Sequence, residues 1–335
     1  MPTRRHFLLC GLALAALGRV STSHAGETNA HRAASNTGAS RELIRDPRFR
    51  TGFRLIDPKP GRRAVYGQLT VKTDQAEPAW DLDQWSSRFP LDATTPTAPQ
   101  PGIRRWANAA KSVTLGGDDT GAFDLSLGVN ARVEYGGRTR KSGEPWVHLL
   151  VEQAFAEPPS LAAVRSARLR IQARLVRSEF QRTDDYSPGL HAAQFQMFLT
   201  LQNRNRTSAD HGQLVWFGIP LYDDRSRFPK EHKAQDTGGT AMFIFTPGGE
   251  LFCDRSAHDR EWITVDQELK PLWLEALAHA RKQGFLQASG DPADFAITTM
   301  NLGWEVPGLF DVEMQVRGLS LMIESGKSST GSGPS

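Results

Sequence analysis

Apolar and polar residues alternate with a period of two along most of the chain. In SARLRIQARL, Leu169, Ile171, Ala173 and Leu175 fall on one face and Arg168, Arg170, Gln172 and Arg174 on the other, as a half-buried strand requires. The same period recurs in HLLVEQAF, AQFQMFLTLQ, QLVWFGIPLY, AMFIF, DFAITTMN and DVEMQVRGLSLMI. One stretch breaks it. In DQELKPLWLEALAHARKQG, Leu269, Leu272, Trp273, Ala276, Leu277 and Ala280 follow helical spacing, with Pro271 in the first turn and Gly284 at the C-terminal cap.

Many strands, polar or Gly/Pro-rich connections and one amphipathic helix predict an all-β fold: an antiparallel β-sandwich of the jelly-roll or concanavalin-like kind with one accessory helix. Trp80 to Ala110 has too little periodicity for confident strands and reads as long loops with a few short strands. Residues 41–324 form the expected single sandwich domain with long rim loops. Residues 26–40 read as a flexible lead-in and 325–335 as a disordered tail, both poor in apolar period.

The N-terminus changes the picture of compartment and charge. Thr3-Arg4-Arg5-His6-Phe7-Leu8 precedes an apolar run too short to span a bilayer, and Ser23-His24-Ala25 offers small residues for cleavage. This segment resembles bacterial Tat export signals, which implies a periplasmic or secreted protein handled by the Tat machinery. Its removal takes away three arginines and no acid, so the formal charge falls from +3 to zero. That disfavours a nucleic-acid partner. Cys10 leaves with it, and Cys253 alone cannot form an intramolecular disulfide. No other stretch is apolar enough for a transmembrane helix.

Strand parity then sorts candidate chemistry. Taking the more polar face of each strand collects His148, Glu152, Gln194, Gln196, Trp216, Tyr222, Asn301 and Glu305. Amides, carboxylates, an imidazole and aromatics on one face suit a sugar, whose hydroxyls need paired donors and acceptors and whose C–H face stacks on rings. The alternative is that these are ordinary solvated strand residues. At NLGWEVPG, Glu305 shares parity with Asn301, whereas Trp304 is the expected packing residue.

Strand-rich Trp/Gln segments such as AWDLDQWSSRF and AAQFQMFLTLQN, and the closing strand DVEMQVRGLSL, make the chain similar to secreted bacterial jelly-roll proteins that bind or cleave polysaccharides. The resemblance implies a fold type and a glycan partner, without a motif that transfers catalytic residues. Hydrolysis requires two carboxyl groups across a cleft, about 5 to 9.5 Å apart. Parity selects Glu305 with Glu152, and Glu179 as substitute. β-Elimination on uronic acids requires a base and a carboxylate neutraliser, for which His191, Tyr222 and Gln194 are candidates. The Arg168, Arg170 and Arg174 stripe is either a lure for an acidic polysaccharide or a solvated sheet face. The remaining readings are a non-catalytic carbohydrate-binding protein and a structural or envelope-interaction protein. No cofactor is expected: Asp118, Asp119 and Asp124 offer oxygen ligands that leave a calcium ion open but lack calcium-loop spacing and read better as a plain turn, HExxH is absent, and GxSxG is absent.

Overall fold

A computed structural model describes residues 40–70, 76–94, 96–116 and 122–326. The export-like segment, the lead-in up to residue 39, Asp118, Asp119 and nearly all of the tail lie outside the described residues.

Among these residues the early strands are β1 (Ser40–Glu42), β2 (Phe53–Ile56), β3 (Val65–Leu69), β4 (Trp80–Asp83), β5 (Arg104–Ala107), β6 (Lys111–Leu115) and β7 (Leu125–Asn130). A short helix, α1 (Ala131–Tyr135), leads to β8 (Val147–Ala154), β9 (Val164–Phe180), β10 (Gln194–Asn203) and β11 (Leu214–Asp223). Then come β12 (His232–Gln235), β13 (Phe243–Thr246), β14 (Ile263–Glu268), α2 (Lys270–Lys282), β15 (Phe295–Val306) and β16 (Phe310–Ser325). One sheet runs β14-β9-β16-β7-β6-β5, with β1 on β16, and the other runs β12-β13-β11-β10-β15-β8-β4-β2-β3. The pairing is antiparallel except for β2 with β4 and β11 with β13, which are joined by connections long enough to cross over. The result is a two-sheet jelly-roll sandwich with one amphipathic helix of several turns.

Period-two alternation places one parity of each central strand between the sheets. Leu302, Trp304 and Val306 of β15 and Val312, Met314 and Val316 of β16 are all buried in one core, each burial contributing about 1.5–3 kcal/mol before entropy is charged. Trp304 spans the gap: its indole Nε1 donates to the Leu127 carbonyl on the opposite sheet at 2.9 Å. Its ring packs edge-on against Phe195 and Tyr222, at 5.0 and 5.8 Å. Trp304 is thus a packing residue whose polar atom is satisfied, as a buried indole needs.

Tyr222 corrects the parity reading. Phe195 pairs with Tyr222 but Gln196 pairs with Pro220, so a bulge lies between them. The extra residue turns Tyr222 into the core, where its hydroxyl donates to Ser178 on the other sheet at 2.9 Å.

The arginine stripe lies on the outer face of the smaller sheet and is matched locally. Arg168 and Arg170 reach Asp266 at 2.5 and 3.2 Å, while Arg174 donates to Gln315 and lies over Trp262. These pairs make it a solvated, compensated sheet face. Asp124 is likewise engaged, accepting from Arg48 and from the Gly318 amide.

Helix α2 buries Trp273, Ala276, Leu277 and Ala280 against β9, β11 and β13. Pro271 is in its first turn, and Gly284, at φ +91°, supplies the left-handed residue that ends it. Among the described residues, no helix is long and apolar enough to cross a membrane. At the other end of the sandwich, Lys111 and Glu134 form a fully buried ion pair. Glu134 also accepts from Ser87 Oγ and the Arg88 amide, which ties α1 to the loop after β4.

Replacing Trp304 with Ala should lower unfolding stability by roughly 3–5 kcal/mol, the usual range for a buried tryptophan. Urea denaturation of wild type and variant reads the difference. A loss under about 1 kcal/mol, the level of an exposed substitution, would contradict its bridging role.

Candidate functional site

The parity of β15 that does not enter the core (Asn301, Gly303, Glu305) lies on the opposite, concave face of the larger sheet. Register places Glu305 beside His148 and Gln194, and Asn301 beside Glu152 and Phe198. Gln196 and Trp216 share this face through β10 and β11. His148, Glu152, Gln194, Gln196, Trp216, Asn301 and Glu305 are therefore brought together as parity anticipated. Between them, Trp85, Leu150, Phe198, Trp216 and Ile244 form a small apolar cluster separate from the main core.

Glu305 is the best-furnished carboxylate of this face. Oε1 accepts from Gln196 Nε2 at 3.1 Å and Oε2 from Trp146 Nε1 at 3.2 Å. His148 Nε2 stands 3.6 Å from Oε2, and its ring lies between those of Trp85 and Trp146, each 5.6 Å away. His148 Nδ1 is buried with no hydrogen-bond partner.

Asp236 is the residue that parity missed. It follows β12, four strand steps from β15, a distance of about 19 Å in a flat sheet. Yet the loop that follows β12 reaches back to β11. Trp216 Nε1 donates to Thr240 Oγ1, and both the Thr240 amide and its hydroxyl donate to Asp236 Oδ2. Burial raises the Asp236 carboxyl above its ordinary value, and repulsion from Glu305 adds to the rise against the Thr240 hydrogen bonds. Its Oδ1 is buried without a partner. The face thus carries two buried carboxyl groups, Glu305 furnished with N–H donors and Asp236 raised chiefly by burial.

Glu152 does not pair with Glu305. Its register partner is Asn301, four residues from Glu305, which is about 13 Å along the strand and beyond the spacing a glycosidase pair uses. Instead Glu152 Oε1 meets Arg63 at 2.8 Å, and Arg63 and Arg54 both hold Asp81. Asp83 is fully buried beside Glu152, and its oxygens have no N–H or O–H partner. Burial first, then the Glu152 charge, pushes the Asp83 carboxyl well above its usual value; burial also raises Glu152, against Arg63. The physical solution is one proton shared between the two carboxyls. The alternation Trp80-Asp81-Leu82-Asp83 was the available signal for this strand.

The other candidates lie elsewhere. Glu179 is exposed on the smaller sheet, next to Arg132 at 3.5 Å, so it cannot substitute for Glu152. His191 is buried, with Nδ1 accepting from the Ser187 amide and Nε2 against the Arg140 carbonyl at 2.7 Å. Those bonds fix a neutral Nε2–H tautomer and leave neither nitrogen to act as a base. Tyr222, its hydroxyl turned to the core and its pKa raised to about 12 chiefly by burial, is equally unsuited. Among the described residues no group of three His, Cys, Asp or Glu side chains is arranged for a metal ion.

The open part of the face is a cleft of about 340 Å³ whose lining includes Gln194, Gln196, Pro220, Thr246 and His232. Gln196 both lines it and donates to Glu305, so the cleft ends one side chain from that carboxylate.

The shared proton has a measurable consequence. For carboxyls raised on folding, the stabilising contribution is present at low pH and is lost as pH rises through the folded-state value. Asp83→Asn keeps an N–H donor for Glu152 and removes the titration, so it should flatten the decline of stability toward alkaline pH. Denaturant melts at several pH values test this; an unchanged slope would remove the shared proton.

No family model and no curated protein matches the chain. Among solved structures it is similar to an endoglucanase from Rhodothermus marinus, at 8% identity and TM-score 0.38 over 70% of this chain and 97% of that one. A family 11 xylanase from Neocallimastix patriciarum shares 11% identity at TM-score 0.35, over 70% and 97%. A family 12 xyloglucanase from Bacillus licheniformis shares 9% at 0.38, over 72% and 100%. These structural neighbours are glycoside hydrolases; at this overlap the likeness carries no argument about catalytic residues or substrate.

Proposed function

We propose that the protein is an exported glycan-cleaving hydrolase acting on the concave face of its larger sheet. One observation carries the reading: Glu305 and Asp236 are two buried carboxyls held by neutral donors, Glu305 by Gln196 and Trp146 and Asp236 by Thr240, whose hydroxyl accepts from Trp216 of the same face, and burial raises the Asp236 carboxyl above its ordinary value. Pairs of acids pushed apart by environment divide acid and base roles. Asp236 donates its proton to the glycosidic oxygen as the C–O bond breaks. Glu305 attends the anomeric carbon, as base for an attacking water or as nucleophile. Trp146, Gln196 and His148 hold Glu305, and Trp85 and Trp216, buried in the small apolar cluster, make the packed base of this face. Export rests on Arg4-Arg5 and the apolar run after them.

A second reading, glycan binding without cleavage, is favoured by the position of Gln196, which stands between the open cleft and Glu305. The lyase reading has lost its bases, since His191 and Tyr222 are committed elsewhere.

Purified mature protein incubated with a polysaccharide panel should release reducing ends from at least one glycan. Glu305→Gln and Asp236→Asn should each lower that rate by roughly 100-fold or more, the scale of removing an acid–base group. The wild-type rate should decline on the alkaline side as Asp236 loses its proton. Binding without product on every glycan would select the second reading; full activity in Asp236→Asn would overturn the assignment of the acid.

A further inference from the structure

The open cleft is cationic. Its lining carries Arg140, Arg225 and Lys230 against a single carboxylate, Asp223. That carboxylate is already satisfied: Arg225 grips it with Nε and a terminal nitrogen, at 2.8 and 2.5 Å, and Gln194 donates to it at 3.0 Å. Arg140 is buried, its guanidinium oriented by the carbonyls of Lys141, Glu144 and Leu190 and lying over the Trp146 ring. Lys230 is exposed at the rim and has no carboxylate partner among the described residues.

The neighbouring acid does little to offset this charge. Burial, more than the adjacent Asp223, raises Asp224 to about 7, and its Oδ1 is occupied by the Ala193 amide. Near neutral pH it is partly protonated, so the cleft keeps its positive excess. The remaining polar groups, Gln194, Gln196 and Thr246, are donors and acceptors suited to hydroxyls. A cleft of about 340 Å³ falls at the small end of ligand sites.

We infer that this cleft is a subsite for an anionic sugar residue, one bearing a carboxylate or a sulfate ester, next to Glu305. Cations beside unionised amides match a ring that carries one negative group among its hydroxyls, and low-dielectric walls strengthen that attraction. Trp146 connects the two places, since its ring lies under Arg140 and its indole nitrogen donates to Glu305. The inference deepens the proposed function and rests on the reading that this face takes a glycan.

Calorimetric binding of the full mature protein to three pentasaccharides tests it: galacturonate, sulfated galactose and unmodified cellopentaose. At least one anionic pentamer should bind more tightly than the neutral one, and that advantage should shrink as salt rises from 20 to 300 mM, on the order expected for screened surface charge. Which anionic pentamer wins identifies the group. Lys230→Ala, at an exposed position, should weaken anionic binding roughly three- to fivefold and leave neutral binding unchanged, the worth of one exposed charge pair. Equal binding of neutral and anionic sugars, or an advantage indifferent to both salt and Lys230, overturns this inference while leaving glycan recognition intact. Binding of none of the three overturns both.

Discussion

Strand β15 serves two environments at once. Its even-numbered residues Leu302, Trp304 and Val306 fill the gap between the sheets, and Asn301, Gly303 and Glu305 lie on the concave face. Because side chains alternate strictly along a strand, a slip of one residue would put Glu305 into an apolar core and Trp304 onto the site. The Trp304 hydrogen bond to Leu127 on the facing sheet therefore fixes the core and the site together. Gly303 leaves no room for a slip in composition either: a Cβ there would lie 2.2 Å from the Leu149 carbonyl oxygen, at φ +156°.

The concave face gathers more acid than it can ionise, and it resolves the excess in two ways. At the β4–β8 end, Arg54 and Arg63 pair with Asp81 and Arg63 with Glu152, and burial raises the Asp83 carboxyl well above its usual value. At the β15–β12 end, amide, indole and hydroxyl donors hold Glu305 and Asp236, with the His148 ring beside Glu305. Neutral donors stabilise a carboxylate without cancelling its charge. The first arrangement is a closed network that suits structure, and the second leaves charge available for chemistry.

Period-two patterning was sufficient for the fold because each long strand has one face in the core. SARLRIQARL and DVEMQVRGLSLMI pair directly as β9 and β16, and the amphipathic helix ends where Gly284 permits. The same logic located Glu305, His148, Gln196 and Asn301 on one face. It failed where local geometry departs from alternation. Tyr222 changes faces at a bulge, for which Pro220 in QLVWFGIPLY was the available signal, since a proline inside a sheet is confined to edges and bulges. Glu152 kept its face but not its partner, because parity says nothing about distance along a strand. Asp236 could not be found from pattern, since it lies past the end of β12 and is tied to this face only by its loop, through Thr240 and Trp216. Trp80 to Asp83 is one of the few short strands expected among the loops of Trp80 to Ala110, but four residues give too short a run for a period to mark its bounds.

The central claim is that Asp236 and Glu305 form an interacting carboxyl pair, and side-chain carboxyl NMR titration measures it directly. Asp236 should titrate above the ordinary aspartate range in the wild-type protein and move downward in Glu305→Gln, where the repelling charge is gone. An Asp236 that titrates in the ordinary range and is indifferent to that substitution would contradict the account.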